Sequence, residues 1–139
     1  MGRYDASFTF NDLIGYVSNV ALDDPCSRTV SSGAETVSCS DPIEVLSVGG
    51  VLVSWQIGSK PTGGPDVPQP NTTVDRRSAH LAISRPGDCA RLGGQETITV
   101  EIARPRGDHD EMVACIRGPG LTGNEMLVRH MLASTRVIA

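Results

Sequence analysis

Aromatic residues are nearly missing from this chain, with one Trp, two Tyr and two Phe among 139 residues. Any core must therefore be built from Val, Ile, Leu, Ala and Met. Basic clusters are equally scarce. Arg104 and Arg106, with Arg76 and Arg77 elsewhere, are the only groupings, and the net charge is −4 with a pI near 5.2. That footprint is too thin for nucleic acid. No apolar run is long enough to span a membrane, and the N-terminus lacks the basic start and apolar stretch of a signal peptide. The four cysteines, at 26, 39, 89 and 115, form no Cys-x-x-Cys pair, so zinc-ribbon and thioredoxin chemistry find no support. Neither a Gly-x-Ser-x-Gly elbow nor a His-Glu-x-x-His motif is present.

Hydrophobic content of 39% and charged content of 20% are ordinary for one globular domain, taken as residues 1–139. Its centre of gravity is the stretch from Glu96 to Ser134. Residues 96–103 alternate polar and apolar, with Ile98, Val100 and Ile102 on one face, the period of a half-buried strand. The polar run 104–110 has turn chemistry, and 111–117 resumes strand character. Beyond Gly118-Pro-Gly120, Thr122 and Glu125 form a capping box, with Leu121 and Met126 as a hydrophobic staple, predicting a helix from about Gly123 to Ser134.

Upstream, Phe10, Leu13, Ile14, Val17 and Val20 recur at spacings of three and four, predicting a short N-terminal helix over 11–21. Ser7–Phe10 before it reads as a brief edge strand. Cys26–Cys39 is nearly palindromic in residue type about Ser32-Gly33, which predicts a hairpin setting the two cysteines opposite each other. A Cys26–Cys39 bridge is the first choice and Cys89–Cys115 then follows, although four cysteines allow three connectivities. Residues 43–57 read as a second hairpin about Gly49-Gly50, with Val51, Val53, Trp55 and Ile57 on one face. The Pro/Gly-rich run 58–72 is a long connector, Asn71-Thr-Thr73 a glycosylation sequon by pattern, and 78–84 a further strand. Arg136–Ala139 reads as a last short strand. The expected fold class is α+β: an antiparallel sheet of about five to seven strands, a C-terminal helix and an N-terminal helix packed on it.

Chemistry is sparse. Gly118-Pro-Gly-Leu-Thr-Gly123 has the glycine spacing of a dinucleotide fingerprint, but the strands before it read as antiparallel and no strand follows the helix, so the glycines make a turn. Asp108-His-Asp-Glu111 gathers four metal-ligand types, yet neighbours on a hairpin tip rarely converge on one ion, and solvated turn residues are expected. His80 and His130 read as structural. No catalytic, cofactor or metal residue is assigned.

Thr73-Val-Asp-Arg-Arg-Ser-Ala79 resembles the Val-Asp-Gly-Arg-x-Ala entry of small exported actinobacterial domains, with an arginine where that pattern has its glycine. Met112–Leu121 leading to Met131–Arg136 resembles their ending. Over residues 73–137 the arrangement is similar to the PsbP-like α+β fold of cell-envelope lipoproteins. The resemblance implies an envelope domain with no fixed catalytic residues. Met1-Gly2-Arg3 is accordingly read as a start placed on a chain trimmed of its signal or anchor. The expected function is a non-catalytic extracytoplasmic domain, the soluble part of an anchored lipoprotein, binding a protein or small molecule in a groove beside the proline-rich loop near Trp55. The alternative is an exported protease inhibitor presenting a disulfide-braced loop, Pro86 to Gly94, with Arg85 or Arg91 as bait. A small secreted hydrolase is the third reading.

Overall fold

A computed structural model describes residues 7–11, 14–23, 26–39, 41–59, 69–104 and 109–136, the side chains of 7–11, 28, 39 and 57–59 excepted. Among these residues the chain is mostly β. Nine strands form two antiparallel sheets: β1 (Ser7–Asn11), β2 (Ile14–Ser18), β3 (Cys26–Ser31), β4 (Ala34–Cys39), β5 (Val51–Ser59), β6 (Thr72–Val74), β7 (Arg77–Ser84), β8 (Glu96–Ala103) and β9 (His109–Ile116). One helix, α1 (Leu121–Ser134), follows. The large sheet has the order β1-β2-β5-β9-β8-β7-β6, and β3-β4 stand apart as a ribbon.

The expected α+β class with an N-terminal helix is therefore corrected. Residues 11–21 hold the end of β1 and the whole of β2, paired antiparallel from Asn11↔Ile14 to Ser7↔Ser18. The helical spacing arose because both faces of β2 are covered. Ile14 and Tyr16 belong to one hydrophobic cluster and Val17 to the other, so period-two alternation is lost. Gly15, Tyr16 and Val17 are poor helix formers in any case.

The hairpin expected over 43–57 also fails. Gly49, at φ +76°, does turn the chain, and the Gly50 amide donates to Ser47 O at 2.8 Å. Residues 41–50, however, form no strand. They lie flat over the sheet, where the Leu46 amide donates to Leu92 O (2.7 Å) and Arg117 Nη1 to Leu46 O (2.7 Å). β5 pairs instead with β2 and β9.

The central strands β5, β9, β8 and β7 carry two cores. Val53, Ile98, Val100, Ile102, Met112 and Ile116 face α1, which closes over them with Val128 and Leu132. On the other face, Tyr16, Leu52 and Cys115 are covered by Ile43 and Leu46 of the 41–50 segment and by Cys89 and Leu92 of a 3-10 turn, Gly87–Leu92. A disulfide, Cys89–Cys115, fastens that turn to β9. In the β3–β4 ribbon Cys26 stands directly opposite Cys39, as the palindrome predicts, and the Cys39 side chain lies outside the described residues.

Helix α1 starts two residues earlier than expected, directly after Gly120, with no side-chain cap. Glu125 is drawn away to Arg85, and Met126 is 56% exposed, so neither capping box nor staple forms. The terminal strand expected over 136–139 falls mainly on 137–139, outside the described residues.

Between β6 and β7 the two-residue turn Asp75-Arg76 has φ values of +48° and +66°. This mirror-image turn suits hairpin twist but favours glycine at its second position. Arg76→Gly is expected to stabilise the fold by roughly 1 kcal/mol, the left-handed penalty of a side chain, read from a urea midpoint. An unchanged or lowered midpoint would show the turn to be unstrained.

Candidate functional site

On the face away from α1, the flat segment and the 3-10 turn stop short of covering the sheet. They leave a cleft of about 190 Å³. Its floor comes from alternate residues of three neighbouring strands: Ile14 and Tyr16 of β2, Leu52, Ser54 and Gln56 of β5, and Glu111, Val113 and Cys115 of β9. Leu92 closes one side, and an ion pair between Arg91 and Asp41 forms the rim. The lining is mixed in about equal measure: Ile14, Leu52, Leu92 and Val113 are apolar, while Asp41, Ser54, Gln56, Arg91 and Glu111 bring polar or charged groups.

Register places the polar groups. Gln56 stands opposite Glu111, Glu111 opposite Glu101, and Glu101 opposite His80, one row across four strands. Burial raises the Glu111 carboxyl above its ordinary value, and the neighbouring Glu101 charge raises it further. Behind the row, His109 Nδ1 lies 3.9 Å from Glu101 Oε2. Among the described lining residues Arg91 is matched by Asp41, so Glu111 gives the cleft its negative character.

The run 108–111, expected as a solvated tip, is corrected. Asp108 is outside the described residues, but His109 and Asp110 open β9 and are 1% and 7% exposed. Arg104 Nη1 donates to Asp110 Oδ1 at 3.3 Å. Among the described residues no group of three or more His, Cys, Asp or Glu could hold a metal ion. His80 Nδ1 donates to Gln69 O (3.0 Å), and His130 is exposed on α1. Trp55 lies half-buried against the α1-side core and does not line the cleft; much of the loop beside it, 60–68, is outside the described residues. In the sequon, Asn71 Nδ2 donates to Leu81 O and its Oδ1 accepts from the Leu81 amide, both at 2.8 Å, so the side chain extends the β6–β7 pairing.

The Pro86–Gly94 loop is coiled rather than extended. Arg91 is held by Asp41, while Arg85 donates through Nε to Glu96 Oε2 (3.1 Å) and through Nη2 to Glu125 Oε1 (3.0 Å). Glu96 is fully buried under α1. That burial pushes its carboxyl up, and Glu125 adds to the rise against the pull of Arg85. Glu125 moves the other way, lowered by hydrogen bonding to Glu96 and Arg85. The two carboxyls are pushed apart, Glu96 toward its protonated form and Glu125 toward its ionised form. The raised group stabilises the fold below its unfolded pKa, and that contribution is lost as pH climbs through the folded value. The lowered group stabilises above its unfolded pKa and is lost as pH falls through its folded value. Stability should thus decline on the alkaline side of the ordinary glutamate range as Glu96 ionises. Glu96→Gln, which keeps a donor without titrating, should flatten that limb in urea midpoints taken from pH 4 to 8. An equally steep limb in the variant would place the titration elsewhere.

Among the described residues, fold and cleft together define a disulfide-braced antiparallel β structure with one helix and a small, mildly acidic cleft. No family model, curated protein or solved structure matches the chain. No helix among the described residues is long and apolar enough to cross a membrane.

Proposed function

We propose that this chain is a non-catalytic extracytoplasmic binding domain, the soluble part of an envelope lipoprotein, and that its cleft receives a small ligand with an apolar body and a cationic head. The observation that carries this reading is the cleft itself: apolar walls from Ile14, Leu52, Leu92 and Val113 around the half-buried Glu111. The non-catalytic part rests on the lining. No imidazole is among the described lining residues, Cys115 is bonded to Cys89, and the Ser54 hydroxyl donates to Val113 O at 3.4 Å. Export rests on the disulfide, since such bonds persist in oxidising compartments. The resemblance of residues 73–137 to envelope domains belongs to the same proposal. The inhibitor alternative draws less support from a coiled loop whose Arg91, like Arg85 just before it, is held in an ion pair.

Phenethylammonium and its uncharged counterpart 2-phenylethanol test the reading by NMR titration. The cation is expected to give saturable shifts at Tyr16, Leu52 and Val113, and the alcohol to bind more weakly. Binding should strengthen as pH rises through the raised Glu111 value, because the ionised form attracts the head group. Glu111→Gln should weaken the cation by roughly tenfold to a hundredfold, the worth of a hydrogen bond to a charged group. Equal binding of both probes, or an indifferent Glu111→Gln variant, would remove the cationic specificity from the proposal.

A further inference from the structure

The first turns of α1 have little local support. The helix starts after Gly120, at φ +91°, with no side-chain cap and no acidic residue in its first turn. An uncapped start leaves its free amides without side-chain acceptors. Gly123 weakens the same turn, and a Cβ added there would meet nothing within 4 Å. The two buried residues of the helix, Val128 and Leu132, both lie in its second half, and from the first half the half-buried Leu121 reaches the core. The remaining tie is polar. Arg85, directly after β7, donates through Nε to Glu96 Oε2 at 3.1 Å and through Nη2 to Glu125 Oε1 at 3.0 Å, joining sheet to helix.

That tie sets one guanidinium against two carboxyls. Glu96 is fully buried, its Oε1 has no donor, and the Glu125 carboxyl lies within hydrogen-bonding reach of it. Two carboxyls can bond to each other only when one carries a proton. The other charged groups nearby do not change that count. Arg129, one turn along α1, acts on Glu125, and His130 is exposed. From β9, Ile116 stands opposite Glu96, while Arg117 turns to the far face, where its Nη1 bonds Leu46 O. We propose that Glu96, Arg85 and Glu125 form a pH-operated latch on the first half of α1. The latch is closed while Glu96 holds its proton. It opens when Glu96 ionises, because a buried charge then faces the Glu125 carboxylate, and residues 121–126 lift while Val128 and Leu132 keep the rest of the helix docked. Glu125 is lowered and Glu96 raised, so the closed form spans the ordinary glutamate range and opens on its alkaline side. This is a local opening, distinct from the global unfolding described above.

Amide hydrogen exchange read by NMR from about pH 5 to about pH 8, corrected for the intrinsic pH dependence of exchange, tests the latch. The amides of residues 124–127 should lose roughly tenfold or more in protection as pH rises, ending far less protected than those of β8 and β9. Glu96→Gln should keep them protected throughout. Glu125→Gln, on the surface of the helix, serves should the first variant misfold. It leaves Arg85 a single carboxylate to match, and the response should again vanish. Glu111→Gln and His130→Gln should leave the response intact. Protection at 124–127 that does not change with pH overturns the proposal, as does a response that survives in folded Glu96→Gln or Glu125→Gln. So does convergence of 124–127 with β8 and β9 on one exchange rate at the alkaline end, which global unfolding would give, or loss of the response in Glu111→Gln or His130→Gln.

Discussion

Replacing Cys89 and Cys115 together by alanine should destabilise the protein by roughly 3–4 kcal/mol, lowering Tm by on the order of 10 °C. The bridge spans 26 residues, and a loop of that length loses this much closure entropy in the unfolded chain when cross-linked. The folded-state argument points the same way. Cys89 and Cys115 are 1% and 4% exposed, so the bond also clamps the 3-10 turn onto β9. Leu92 is buried at the end of that turn, and its carbonyl accepts the Leu46 amide. Freeing the turn therefore loosens the flat segment and one wall of the cleft, and weaker ligand binding is expected alongside the fall in Tm. Chemical denaturation of the double variant, beside non-reduced peptide mapping of the native chain, reads both quantities. A loss below about 1 kcal/mol would show that packing alone holds the turn. Mapping should also recover the Cys26 and Cys39 peptides joined, as their opposed register predicts.

What could be read from residues alone divides along physical lines. β7, β8 and β9, the β3–β4 ribbon and the C-terminal helix were legible because each carries a local signal. Ile98, Val100 and Ile102 alternate with less buried residues, and Ser32-Gly33, at φ +51° and +77°, forms the turn its neighbours require. β2 was illegible because Ile14 and Tyr16 serve one core and Val17 the other, leaving no polar face to mark the period. The 43–50 stretch misled for a different reason. Its glycines do turn the chain, but a turn does not say that its two flanks pair, and Ile43 and Leu46 found burial by lying on the sheet instead.

The cleft was harder still. Glu111 was visible only within an acidic run, and its partners Gln56 and Glu101 are cross-strand neighbours known only through register. Asp41 and Arg91 meet across 50 positions of sequence. No spacing rule connects such residues.

Leu46 tests whether the flat segment is part of the fold or a loop resting on it. The residue is fully buried among Tyr16, Leu52, Leu92 and the Cys89–Cys115 pair, although it belongs to no strand or helix. A Cβ added at Gly50 would meet the Leu46 side chain at 2.8 Å, so the backbone has closed tightly around it. Leu46→Ala is expected to cost about 2–5 kcal/mol: the lost transfer energy of the side chain plus a cavity the neighbours only partly fill. Val45 and Val48, 63% and 66% exposed on the same segment, provide the contrast, and their alanine variants should stay within about 0.5 kcal/mol of the parent. If Leu46→Ala behaved like those two, the segment would be a passive loop and the second core would rest on Tyr16, Leu52, Leu92 and the Cys89–Cys115 pair. Combining Leu46→Ala with the loss of the Cys89–Cys115 bridge should be less than additive. The two sites touch the same cluster, and once the turn is free Leu46 has less packing left to lose.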